Sequence, residues 1–255
     1  MTHSAFEILG VPPARARLLL TAEHASCAVP QPLRADTADL PWLQTHWGWD
    51  IGIRDVVVAL CALLPARAVL AGFSRLVADA NRPPEHPDLI RTEVEGHALR
   101  FNAELDDAER ARRIATLHAP YHAAIDAELA AVRAHRDGDA SPLLLLSMHS
   151  FTPVFGVDPR WMEVGVLYDD HEPLAETLAD ACAAQGFRTA RNEPYSGRAG
   201  LIYAAQRHGR AHDVAHLELE LRQDRIGTEA QASAVAHAIA RALCALPMLS
   251  DLRVA

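Results

Sequence analysis

Residues 143–150 read LLLLSMHS. Four leucines in succession leave no polar face, so as a strand this segment must be covered on both sides. That requirement points away from a half-exposed antiparallel sheet and towards a largely parallel sheet with helices packed above and below it. The run ends in Met148 and then His149. An imidazole does not belong in an apolar core, and its place at the end of such a strand needs a reason.

The remaining segments alternate in the way this requirement demands. Residues 17–22 (RLLLTA), 68–72 (AVLAG), 163–168 (EVGVLY) and 214–221 read as further strands. Between them, residues 50–64, 121–135 behind Pro120, 172–185 closed by Gly186, 196–206 behind Ser196 and 228–246 read as helices. Residues 85–107 are polar with scattered apolar positions and read as helix and loop. No repeat, low-complexity tract or linker interrupts the alternation. The expectation is one α/β domain over residues 1–255, a mixed and mostly parallel sheet flanked by helices.

Composition removes several classes of function. The net charge is −9, so no basic face is available to neutralise phosphates and nucleic acid is not an expected partner. All 24 basic residues are arginines, which leaves no lysine for Schiff-base or P-loop chemistry. Cys27, Cys61, Cys182 and Cys244 form no CxxC pair, against a zinc ribbon or thioredoxin site and in keeping with a reducing compartment. No signal peptide and no apolar stretch of roughly 18 residues is read. The expected setting is the cytoplasm, with no membrane partner.

In sheets of this kind ligands bind beyond the carboxyl ends of the strands. The first strand runs into Glu23-His24, the leucine strand into His149-Ser150, and HLELELR alternates so that His216, Glu218, Glu220 and Arg222 share one face. Two histidines with carboxylates at strand ends are the ingredients of a catalytic zinc site, which uses three protein ligands and keeps one position open for water. Histidines that merely cap backbone groups explain the same residues, and Asp50 reads as helix cap or as metal ligand. His118-Ala-Pro-Tyr-His122 lacks the glutamate of a zincin motif, and Pro120 is expected to break the turn between its histidines. His122 is then a cleft residue or half of a packed Tyr-His pair. Asn81-Arg82-Pro-Pro is irregular, and its guanidinium either forks onto a carboxylate ligand or pairs with Asp79 on the surface. The turn-rich loop around Tyr195 is placed over a small substrate.

TAEHAS, GWDIG, SRLVADANRPP, HAPYH, SMHSFTP, NEPYSG and ELELRQD follow one another in this order across about residues 20–225. As a set they resemble the N-formylglutamate amidohydrolase family, which is similar in fold to the zinc carboxypeptidases. The resemblance implies a Zn2+ enzyme, other divalent transition metals being possible. It would cleave an acidic N-acyl amino acid, N-formyl-L-glutamate, to formate and glutamate, the last step of one histidine degradation route. It casts His24 and His149 as metal ligands. The third is Asp50, with Glu23 as the fallback, because the position of the carboxypeptidase glutamate is Cys27 here. Glu220 is cast as general base and Arg75 as oxyanion support. Asn81 and Arg82 grip the substrate carboxylate, Arg222 is a further anchor, and His122 and Tyr195 line the cleft. Two alternatives stay open: a zinc hydrolase of another N-acyl amino acid or small peptide, and a non-catalytic metal- or ligand-binding relative.

Overall fold

The leucine run forms the middle of a seven-stranded sheet in a computed structural model that describes residues 4–135 and 142–254. In chain order the strands are β1 (Phe6–Gly10), β2 (Leu18–Ala22), β3 (Ala66–Ala71), β4 (Leu144–Phe151), β5 (Val164–Leu167), β6 (Thr189–Arg191) and β7 (Ala215–Arg222). Their spatial order is β1-β3-β2-β4-β7-β5-β6. Strands β3, β2, β4 and β7 run parallel. The sheet turns antiparallel where β1 meets β3 and where β5 meets β7, and β6 lies parallel to β5. The architecture is therefore the mixed, mostly parallel α/β sheet that the leucine strand demands.

Both faces of β4 are buried, as four leucines require. Leu144, Leu146 and Met148 pack with the inward sides of α1 (Ile53–Leu63), α4 (Glu172–Ala184) and α6 (Glu229–Cys244). Leu143 and Leu145 face Tyr121, Ile125 and Leu129 of α3 (Ala119–Ala134) on the other side. Each such leucine removed from water contributes roughly 1.5–3 kcal/mol, so this strand alone is a strong organiser of the layers.

Local signals place most helices, with instructive departures. Thr228 caps α6 by accepting from the Gln231 N–H, as its position predicts. Asp50 does not cap α1; Gly52 stands at that position with φ +82, where a Cβ would collide with the Ile226 carbonyl. Ser196 caps nothing either. Gly197–Ala199 makes only a short 3-10 turn, and α5 starts later, at Tyr203–His212. Residues 85–106 hold short turns and a small hairpin pairing Glu93–Val94 with His97–Ala98, with no α-helix. The helix ahead of Pro120 begins earlier than expected. Asp106 caps α2 (Asp107–Arg113), and a π-helical turn, Ile114–His118, runs straight into α3. Among the described residues no helix is long and apolar enough to cross a membrane.

Candidate metal centre and cleft

The parallel strands β2, β4 and β7 deliver their carboxyl ends to one place. His24 follows β2, His149 lies near the end of β4, and Glu220 is its direct partner in the β4–β7 register. Asp50 arrives from the loop ahead of α1, and its backbone N–H donates to the His24 carbonyl at 2.9 Å. That bond fixes the loop against the end of β2 and turns the carboxylate inward. His24, Asp50 and His149 are all buried, and one ligand atom from each lies within 4.8 Å of the others.

Hydrogen bonding sets the tautomers. His24 Nε2 is 2.7 Å from Asp79 Oδ1, an acceptor, so the proton sits on Nε2 and Nδ1 carries the lone pair. Among the described residues that Nδ1 has no hydrogen-bond partner; it lies 3.5 Å from Asp50 Oδ2. His149 Nε2 faces Glu23 Oε2 at 2.9 Å, and its Nδ1 faces Asp50 Oδ2, also at 2.9 Å. Both ring nitrogens of His149 thus confront carboxylates. Such an arrangement is stable only if the ring carries two protons or if a cation shares the Nδ1 side. An imidazole whose far nitrogen is held by a carboxylate is how metal-binding histidines are commonly oriented. The donor set therefore fits a divalent cation: two imidazole Nδ1 atoms, one carboxylate, and a carboxylate behind each ring.

The charges around this point are held in unusual states. Burial alone would raise Asp50, yet the two facing imidazoles hold its carboxyl well below the ordinary range. Glu23, fully enclosed, is lowered to about 2 against the opposing effect of burial, by His149 and by the Ser147 hydroxyl that donates to it at 2.7 Å. Glu220 goes the other way. Burial pushes it up, the His149 ring pulls it back, and Asp50 pushes it up again. Its Oε2 is buried and, among the described residues, without a hydrogen-bond partner.

These groups open onto a cavity of about 380 Å³ whose walls include Arg75, Asn81, Arg82, Tyr195 and Glu220. Arg75 lies 3.0 Å from Asp79 and 3.6 Å from Asp50. Asn81 is held at both ends of its amide, donating to Glu218 at 3.2 Å and accepting from the Ala204 N–H at 2.9 Å. Arg82 does pair with Asp79, at 3.2 Å, but Asp79 is buried and the pair lies in the cleft wall. The pairing with Asp79 is therefore as expected, but it lies in the cleft wall and not on the surface.

Four expectations need correction. Glu23 does not stand with the three converging groups; it lies behind His149 and takes hydrogen bonds from Tyr121 and Ser147. Arg222 is not among the residues lining the cavity. Its guanidinium is spent on Asp224 and on the carbonyls of Arg160 and Met162, where it ties β7 to the neighbouring loop. His122 is buried beneath the cleft and bonds His208 at 2.8 Å. Pro120 does not break the turn either: it occupies the first turn of α3, and the rings of His118 and His122 lie 4.4 Å apart. The zincin reading still fails, for want of the glutamate. Cys27, half-buried, accepts from Gln44 and stands apart from the ligand group.

Two participants escaped sequence reasoning. Asp79 orients His24, and Glu218 holds Asn81 while its Oε2 sits 3.5 Å from His149. The buried-face alternation of HLELELR carried a signal for Glu218, whereas nothing local distinguishes Asp79 from a surface aspartate.

Comparison with known proteins gives the family and the fold. The family described as N-formylglutamate amidohydrolase matches residues 16–227. A gene product of Agrobacterium tumefaciens of known crystal structure is 29% identical, with 94% of this chain and 95% of that chain aligned at a TM-score of 0.81. An N-formylglutamate amidohydrolase from Ralstonia eutropha JMP134 shares the fold at 20% identity, with 96% of each chain aligned and a TM-score of 0.70. A metallo-carboxypeptidase from Burkholderia cenocepacia aligns at a TM-score of only 0.38 and 14% identity, over 93% of this chain and 59% of that one, too distant to argue from. No curated protein matches the sequence. The class is a hydrolase acting on amide bonds. Within it, the chain belongs to the N-formylglutamate amidohydrolase family.

Proposed function

We propose that the chain is a metal-dependent deformylase that cleaves N-formyl-L-glutamate, or a closely similar acidic N-acyl amino acid, to formate and the free amino acid. One observation carries the reading: His149 is caught between the carboxylates of Asp50 and Glu23, with the unpartnered Nδ1 of His24 beside Asp50. His24, Asp50 and His149 would hold the ion, and two imidazoles with one carboxylate suit zinc. Bound there, it would polarise the amide carbonyl and bring the pKa of water towards neutrality.

The side chains of the cleft supply the rest. Glu220, buried and with a free oxygen, takes the proton of the attacking water and hands it to the departing nitrogen. Raised by burial, it is a stronger base for the first transfer than an ordinary carboxylate would be. Arg75 brings positive charge beside the reacting carbonyl, and its two aspartate partners hold it in place. Asn81 and Arg82 receive the substrate's α-carboxylate, the first rigid through its bonds to Glu218 and Ala204.

Metal analysis together with formate release tests the reading. About one zinc per chain is expected, with formate release from N-formylglutamate that stops on chelation and returns with zinc. A metal-replete chain that releases no formate would sink the deformylase. Activity indifferent to chelation would sink the metal.

A further inference from the structure

The arginines in and near the cavity are not equally available. Arg75 is engaged by Asp50 and Asp79, Arg82 by Asp79, Arg91 by Asp88 and Arg222 by Asp224. Arg160 differs. Among the described residues no carboxylate lies within ion-pairing distance of it. Its contacts are neutral and long: the Thr152 carbonyl at 3.4 Å, the Thr152 hydroxyl at 3.3 Å and the Tyr195 hydroxyl at 3.3 Å.

The side chain is nevertheless held in place. Its guanidinium carbon is 5.5, 5.0 and 5.3 Å from the ring centroids of Phe151, Phe155 and Tyr195. All three rings line the cavity. A half-buried cation in an aromatic cage, bonded only to neutral acceptors at long distances, has already given up its rotamer freedom and can take a carboxylate in their place. Its charge is felt at Glu220 and at His46, both of which line the same cavity. Arg82 comes from the loop after β3 and Arg160 from the segment ahead of β5, strands on opposite sides of the β2–β4–β7 centre.

We propose that Arg160 is the anchor for a second carboxylate of the ligand, the side-chain carboxylate of an acidic amino acid whose α-carboxylate is taken by Arg82 and Asn81. The inference rests on the reading of the cleft as an N-acyl amino acid site. It makes Arg160 the residue that separates glutamate-type from glutamine-type or apolar substrates. A planar fork facing a carboxylate gains a charge-assisted pair with glutamate that the neutral amide of glutamine does not reproduce.

The test is calorimetric titration of the zinc-loaded chain with L-glutamate and L-glutamine, in the wild type, Arg160→Met and Arg160→Lys. The wild type is expected to bind glutamate roughly tenfold or more tightly than glutamine, the scale of a charge-assisted hydrogen bond. Arg160→Met keeps the bulk inside the cage and should erase that ratio while leaving glutamine binding unchanged. Arg160→Lys should restore part of it. A ratio that survives in Arg160→Met, or an equal loss for both ligands, overturns the proposal, as does a wild type without preference. Formate release from N-formylglutamate is measured in parallel. An Arg160-dependent preference without formate release keeps this assignment and overturns the deformylase. Formate release with the preference intact in Arg160→Met does the reverse.

Discussion

Glu220 stands directly opposite His149 across the parallel pair β7–β4. The register of two buried strands thus sets the distance between the proposed base and one of the proposed ligands, and no loop has to be ordered to bring them together. Glu220→Gln keeps the shape of the side chain and removes its ability to take a proton. Turnover is expected to fall by roughly 10²–10⁴ while zinc content stays at the wild-type level. Rates of formate release and metal analysis of the same preparation check this. Normal turnover would move the base to Glu218 or to a histidine.

Glu23 touches His149 from behind, so its removal separates orientation from ligation. Glu23→Gln leaves His24, Asp50 and His149 in place but deprives the His149 ring of the charge that fixes its tautomer. Metal affinity is expected to drop by about 10- to 100-fold, the usual effect of losing a carboxylate behind a metal-binding histidine. Competition with a chelator of known affinity measures it. An unchanged affinity would show that Asp50 alone orients the ring.

Gly165 is where β5 crosses closest to the loop carrying Tyr195. A Cβ there would sit 2.1 Å from the Glu193 carbonyl oxygen and 3.4 Å from the Glu220 Cβ. The loop backbone cannot yield as a flexible side chain would, so Gly165→Ala is expected to lose about 1–3 kcal/mol of stability and to displace the loop. Denaturant unfolding gives the first quantity. The second should show as lower turnover in the fraction that remains folded. A variant as stable and active as the wild type would contradict the tight crossing.

Arg82→Ala is expected to raise KM for acidic substrates by roughly tenfold or more, with a smaller change in kcat, because a carboxylate loses its partner at binding and through the reaction alike. Steady-state kinetics with formate detection decides. An unchanged KM would move the α-carboxylate anchor elsewhere.

The acid limb of stability has an identifiable contributor. Glu109 is lowered to about 2, first by its hydrogen bond from Arg112 and then, against the effect of burial, by Arg113. Arg113 is itself buried and also donates to the Val77 and Phe101 carbonyls and to Asn102. A carboxyl whose folded pKa lies below its unfolded value stabilises the native state above the unfolded pKa and loses that contribution as pH falls through the folded one. Glu109→Gln should therefore cost about 1–3 kcal/mol at neutral pH, and the difference from wild type should shrink as pH falls from the ordinary glutamate value of 4.5 to about 2. Unfolding midpoints across that range measure it.

The leucine run and the alternation of HLELELR determined much by themselves. A segment without a polar face has to be covered twice, and a period of two puts Glu218 and Glu220 on one side, so a layered α/β sheet with acidic groups at its edge is legible from local pattern alone. The ordered motifs, through the family they resemble, likewise imply His24, Asp50 and His149 as the ligand group. Only the tertiary structure decided who faces whom. Edge strands β1 and β6 carry too little pattern to announce themselves, and a π-helical turn lets the chain run through His118 into α3 without the break that Pro120 suggested. Asp79 behind His24, Glu23 behind His149, the withdrawal of Arg222 and His122 from the cleft, and the aromatic setting of Arg160 all depend on contacts between residues distant in the chain. Periodicity reports which face of an element is buried, whereas the partner of a buried charge is chosen by how loops close over that face.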